Sequence, residues 1–100
     1  MLHTVNKSPF ERNALEACLN RAASGAAILL YEDAVYAAMQ GTSFADAMHG
    51  AASRFEVYAL GPDLAARGVD PAKLVDGVRV VDYGGFVDLV AEKGPVQAWL

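Results

Sequence analysis

The sequence predicts an α/β fold: a five-stranded, mainly parallel sheet with helices on both faces, three layers in a single domain over residues 1–100. Three observations predict it. Short apolar runs alternate with helix-period segments along the whole chain, the order expected of repeated strand–helix–strand units. The uninterrupted apolar run Ala26–Tyr31 has the length of a buried strand, and no apolar run in the chain is longer or approaches the roughly 20 residues a membrane span requires. The chain is 54% hydrophobic and 20% charged, against usual values of about 45–50% and 25%. That apolar excess argues against disorder and points to surface covered by partner subunits.

Leu2–Val5 reads as the first strand. Ser8 opens a helix as its N-cap, with Pro9 at the first helical position, where a missing N–H costs nothing, and Glu11 placed to complete a capping box. This helix is expected to run to about Ala23, with Gly25 as the stop. Ala26–Tyr31 is the second strand, ended by Glu32 and Asp33. Asp33 is placed to cap a short helix over Ala34–Met39, which Gly41 closes. Ser43 to about Ser53 is a second amphipathic helix. Ser43 and Asp46 stand at capping-box spacing, and Phe44, Ala47, Met48 and Ala51 share one face.

Phe55–Leu60, bounded by Gly61-Pro62, reads as the third strand. Pro62–Arg67 is a short helix closed by Gly68. Asp70-Pro71 opens a further helical turn, and Asp76-Gly77 is a turn. Val78–Val81 is the fourth strand, Tyr83–Lys93 the last helix, closed by Gly94-Pro95, and Val96–Leu100 a terminal strand. Chain ends fray unless tied down, so Ala98, Trp99 and Leu100 are expected to be ordered in the sheet, buried beside a helix or a neighbouring subunit. Met39, Phe44, Met48, Phe55 and Tyr58 supply large apolar groups mid-chain, mostly for the core and in part for an interface.

Twelve acids against eight bases give a net charge of −4, so nothing electrostatic recommends nucleic acid or an anionic membrane as a direct partner. The bases are scattered, with no aromatic platform among them. A single cysteine rules out an intrachain disulfide and a Cys-rich zinc site. No basic stretch leads into an apolar run near Met1, and a cytoplasmic protein is the expectation.

Parallel α/β sheets place ligands beyond the carboxyl ends of their strands. Here those ends carry Asn6-Lys7-Ser8, Glu32-Asp33, Gly61-Pro62-Asp63 and Asp82-Tyr83. The first strand-to-helix turn holds no glycine, so neither a dinucleotide fingerprint nor a Walker loop is present, which counts against a nucleotide-binding regulatory domain. Asp33 and Asp82 fit helix N-caps, Asp63 fits a first helical turn, and Glu32 a solvated strand end. His3 lies on a strand and His49 on a helix; with Cys18 they show no spacing that converges on a metal, and no metal or cofactor is expected. Cys18 shares the apolar face of the first helix with Ala14, Leu15, Leu19 and Ala22, opposite Arg12, Asn13, Glu16 and Asn20. It stands nearly three turns from the N-cap, beyond the reach of the helix dipole, and Arg21 alone favours a thiolate. The residues by themselves describe a buried, inert thiol.

Four blocks, LHTVNKSPFERN, ILLYEDAVYAA, VYALGPDLAARG and VVDYGGFVDLV with VQAWL, together resemble the DsrH/TusB family over nearly the whole chain. The resemblance implies a DsrEFH-like, Rossmann-like three-layer fold and a place in an intracellular sulfurtransferase, or sulfur-relay, complex. Its implied partners are DsrE/TusD-like and DsrF/TusC-like subunits in a heterohexamer, with a DsrC/TusE-like carrier receiving persulfide sulfur. In the Dsr branch the relay serves dissimilatory sulfur oxidation; in the Tus branch it feeds 2-thiolation of the tRNA wobble uridine. Cys18 matches the position where DsrH proteins carry a cysteine and TusB-type sequences often do not, which favours the Dsr branch. It also makes Cys18 the one candidate catalytic residue, a persulfide carrier. Its thiolate would attack the sulfane sulfur of a donor persulfide and surrender it to a second thiolate. The other reading is a non-catalytic scaffold of the TusBCD type.

Overall fold

Leu2–Val5, Ala27–Leu30 and Glu56–Leu60 form strands β1, β2 and β3 of the computed structural model, which describes residues 1–100; Arg79–Val81 (β4) and Val96–Trp99 (β5) flank them. All neighbours pair in parallel, in the order β4-β3-β2-β1-β5. The helices are α1 (Ala14–Arg21), α2 (Ala45–Arg54), α3 (Gly61–Ala66) and α4 (Tyr83–Lys93), with 3-10 segments at Glu32–Ala38 and Pro71–Lys73.

The central strands are covered on both faces, which is why they read as apolar runs and not as alternations: every residue of β1 and β2 is buried. The two faces are unequal. Val5, Ile28, Leu30, Val57 and Ala59 point into a cluster of 19 buried residues shared with Leu15, Cys18 and Leu19 of α1 and Met48 and Ala51 of α2. Leu2, Ala27, Leu29 and Tyr58 point the other way, into a cluster of five completed by Leu89 of α4. Chirality accounts for this. Right-handed crossovers from β1 to β2 to β3 to β4 stack their helices on one face, whereas the return from β4 past β1 to β5 sets α4 alone on the other.

The strand assignments hold to within a residue at each end, and α4 has the bounds expected of it. Asp82 caps α4 as expected, its Oδ1 accepting the N–H of Gly85 at 2.7 Å. Asp63 lies in the first turn of α3, also as expected.

Three expected helix starts are corrected. Ser8 does not open α1. Its Oγ accepts the N–H of Phe10 at 3.2 Å and its carbonyl accepts those of Glu11 and Arg12, closing a local turn; α1 begins only at Ala14. Phe10 stays half exposed, so residues 9–13 have no apolar face to dock, and a helix this short persists only where it packs. Asp33 is not a cap: the Glu32–Ala38 segment is 3-10 with Tyr31 at its N-cap position, and Asp33 reaches instead to Arg67. Ser43 gives way to Thr42, whose Oγ1 accepts the N–H of Phe44 at 3.3 Å just before α2.

The terminal strand forms as expected, but only its end is sheltered. Trp99 packs against the larger cluster, whereas Val96 and Leu100 remain exposed. Of the mid-chain apolar groups, Met48, Phe55 and Tyr58 are buried, and Met39 and Phe44 pack at the margin of the larger cluster.

Candidate functional site

The carboxyl ends of β1, β2 and β3 gather a polar cluster. Glu32, the first residue past Tyr31 at the end of β2, adopts φ +48°, in the left-handed region that a residue with a Cβ rarely visits. Two contacts hold it there. Its N–H donates to Asp63 Oδ2 at 2.6 Å, and its Oε1 accepts from Asn6 Nδ2 at 3.2 Å. Arg67, one turn on from Asp63, places Nε 3.0 Å from Asp33 Oδ1 and Nη1 3.3 Å from the Asp63 carbonyl. These strand ends therefore carry three acids against one guanidinium, which fastens the β2 and β3 ends together and leaves the cluster net negative. That arrangement repels an anion and offers no phosphate cradle.

Cys18 faces the larger cluster from α1 and is fully buried. Burial pushes its thiol up to about 11 from an ordinary value of 9.0, because a thiolate in apolar surroundings loses its hydration. Nucleophilic sulfur chemistry uses the thiolate, so in this chain by itself the group is neither charged nor accessible.

His3 is 6% exposed, and its Nδ1 accepts the indole N–H of Trp99 at 3.1 Å. Burial, together with the positive Met1 amine, holds its pKa below the usual histidine value. His49 is exposed on α2. No three His, Cys, Asp or Glu side chains converge to hold a metal ion, and no helix is long and apolar enough to cross a membrane.

Sequence reasoning placed Asn6, Glu32, Asp33 and Asp63 at strand ends but missed Arg67 and the contacts that join these side chains. The one available signal for Arg67 is its position four residues after Asp63 on a short helix. The His3–Trp99 bond spans 96 positions and leaves no local signal at all.

These features define a small parallel α/β domain whose strand ends are closed by ion pairs and whose only thiol is packed in the core. Among solved structures, E. coli YchN superposes with a TM-score of 0.79 at 18% identity, covering 97% of each chain. A protein of unknown function from Methanobacterium thermoautotrophicum gives a TM-score of 0.65 at 17% identity, covering 97% of this chain and 95% of its own. At such identities these likenesses speak for the fold alone. The family model described as "DsrH like protein" matches residues 7–96. Curated relatives named Protein TusB are 36% identical in Pectobacterium parmentieri and 33% identical in Shigella flexneri and E. coli K12, each over 99% of this chain and the whole of the relative. The chain belongs to the DsrH/TusB family.

Proposed function

We propose that this chain is a TusB-type subunit of a multi-subunit sulfur relay that feeds 2-thiolation of the tRNA wobble uridine, and that it serves there as a scaffold and not as a sulfur carrier. The observation that carries the branch is the full-length match to relatives that bear the TusB name. The sulfur-oxidation reading, which rested on a cysteine at position 18, has less support. The scaffold role draws on the burial of Cys18 and its raised pKa. Sulfur would pass between thiolates of TusD-like partners and a TusE-like carrier, with this chain holding the partners in register.

The apolar residues left exposed on α4 and β5, Tyr83, Val87, Val90 and Val96, are the kind of surface a partner subunit would cover. Tyr83, Val87 and Val90 belong to α4, the single helix that covers the thinner face of the sheet. With acids outnumbering bases, the net charge does not favour direct contact of this subunit with tRNA.

A tagged pull-down from the native host, read by native mass spectrometry, tests the assembly. The expected result is this chain with TusC-like and TusD-like chains in equal ratio; recovery of the chain alone would overturn the reading. Recovery with a dissimilatory sulfite-reductase subunit would favour the sulfur-oxidation branch instead. In the same complex, rapid labelling of Cys18 by a thiol reagent would restore the carrier role.

A further inference from the structure

The bond between His3 and Trp99 does something that neither the fold nor the relay reading requires. Trp99 ends β5, and β5 is an edge strand: β1 flanks it on one side only. Val96, Gln97 and Ala98 are exposed, so apart from its ladder to β1 the strand is held mainly by Trp99, which packs against the larger cluster and donates its indole N–H to His3 Nδ1 at 3.1 Å. An indole nitrogen can only donate. His3 must therefore accept, with its proton on Nε2, and an imidazolium, which carries protons on both nitrogens, cannot.

We propose that His3 and Trp99 form a proton-operated latch on the terminal strand: neutral His3 holds Trp99 and keeps β5 docked on β1, and protonation of His3 sets two N–H groups against each other and loosens β5. The charges around His3 reinforce the neutral, latched state. The cleft beside it is lined by Met1, Arg21, Ala23, Ser24, Gly25 and Ala26. Its charged groups are thus the Met1 amine and the Arg21 guanidinium, both positive, and no carboxylate there would stabilise an imidazolium. From the strands on either side, the residues in register with His3 are Ile28 and Gln97, which carry no charge. The lowered pKa of His3 agrees with this setting. Opening β5 would bare the far edge of β1, with its unpaired N–H and C=O groups, to any strand able to add there. The latch depends only on residues of this chain and stands whether or not the relay reading does.

Hydrogen exchange of the Val96–Trp99 amides in the full-length protein, measured from pH 8 to pH 5 and corrected for intrinsic exchange, tests it. The expected result is protection that falls roughly five- to ten-fold as His3 titrates below the usual histidine range, the scale of one lost hydrogen bond. Protection in the β2 amides should stay unchanged over the same range. Emission from Trp99, the only tryptophan, should shift to the red with the same midpoint. His3→Gln, which keeps an acceptor without titrating, should abolish the pH dependence, whereas His49→Gln should preserve it. Corrected protection of β5 that stays flat with pH, or that falls in step with β2, would overturn the latch. So would a His3→Gln protein that keeps the wild-type pH dependence. If that variant fails to fold, the wild-type comparison of β5 with β2 decides alone.

Discussion

The N–H of Glu32 donates to Asp63 Oδ2 at 2.6 Å across 31 positions of sequence. This contact ties the end of β2 to the first turn of α3 and holds Glu32 in its left-handed conformation. A non-glycine residue there costs on the order of 1–2 kcal/mol, and the carboxylate, balanced by Arg67, offsets part of that.

Asp63→Ala removes the acceptor and leaves Asp33 as the one carboxylate partner of Arg67. The expected loss is about 1–2 kcal/mol of folding stability, in the range of a hydrogen bond to a charged group, read as a lower denaturant midpoint with an unchanged slope. A change below about 0.3 kcal/mol would mean that the Glu32 conformation is held by the chain around it.

Cys18 predicts a pH dependence of known sign. Its folded pKa is raised, to about 11 from 9.0, so the unfolded chain gives up the thiol proton first. The stability contributed by the neutral thiol is therefore complete below pH 9 and declines as pH rises toward 11. Cys18→Ala removes that decline, at a cost of about 1–2 kcal/mol near neutrality for the lost packing. Chemical denaturation at pH 7, 9 and 10.5 with both proteins checks it; parallel alkaline losses would show that another group is responsible.

Two glycines separate conformational need from simple tolerance. Gly50 lies inside α2, and a Cβ there would meet nothing within 4 Å; Gly50→Ala is expected to stabilise by about 0.5–1 kcal/mol. Gly77 has φ +94°, and a Cβ would come within 3.0 Å of the Ala52 Cβ; Gly77→Ala should cost about 1–2 kcal/mol. Thermal midpoints for the pair must move in opposite directions. A lowered midpoint for Gly50→Ala would contradict the open surroundings of that position.

The sheet was legible because its signals are local: apolar runs of strand length, ended by Asn6, Glu32, Gly61 and Asp82. Asp82 was legible as a cap because helix-period residues follow it at once and Gly84-Gly85 leave its carboxylate room. Ser8 carried an equally good capping signal and misled, since the five residues after Pro9 include only Phe10 and Ala14 as apolar groups, and Phe10 finds no partner. Asp33 misled for the opposite reason. Arg67, far along the chain, competes for its carboxylate more effectively than a short 3-10 turn does. Burial of Cys18 followed from the face it shares with Leu15 and Leu19, while the joining of Asn6, Glu32 and Asp63 depends on where the crossovers bring separate strand ends.

The most direct test of the scaffold reading is the 2-thiouridine content of tRNA in host cells that lack this chain, complemented with either wild type or Cys18→Ser. The account predicts that thiolation falls on deletion and is restored to the wild-type level by Cys18→Ser, with the assembly intact. Thiolation unaffected by deletion would contradict the proposed branch, and an assembled Cys18→Ser subunit that fails to restore it would make Cys18 a carrier of sulfur.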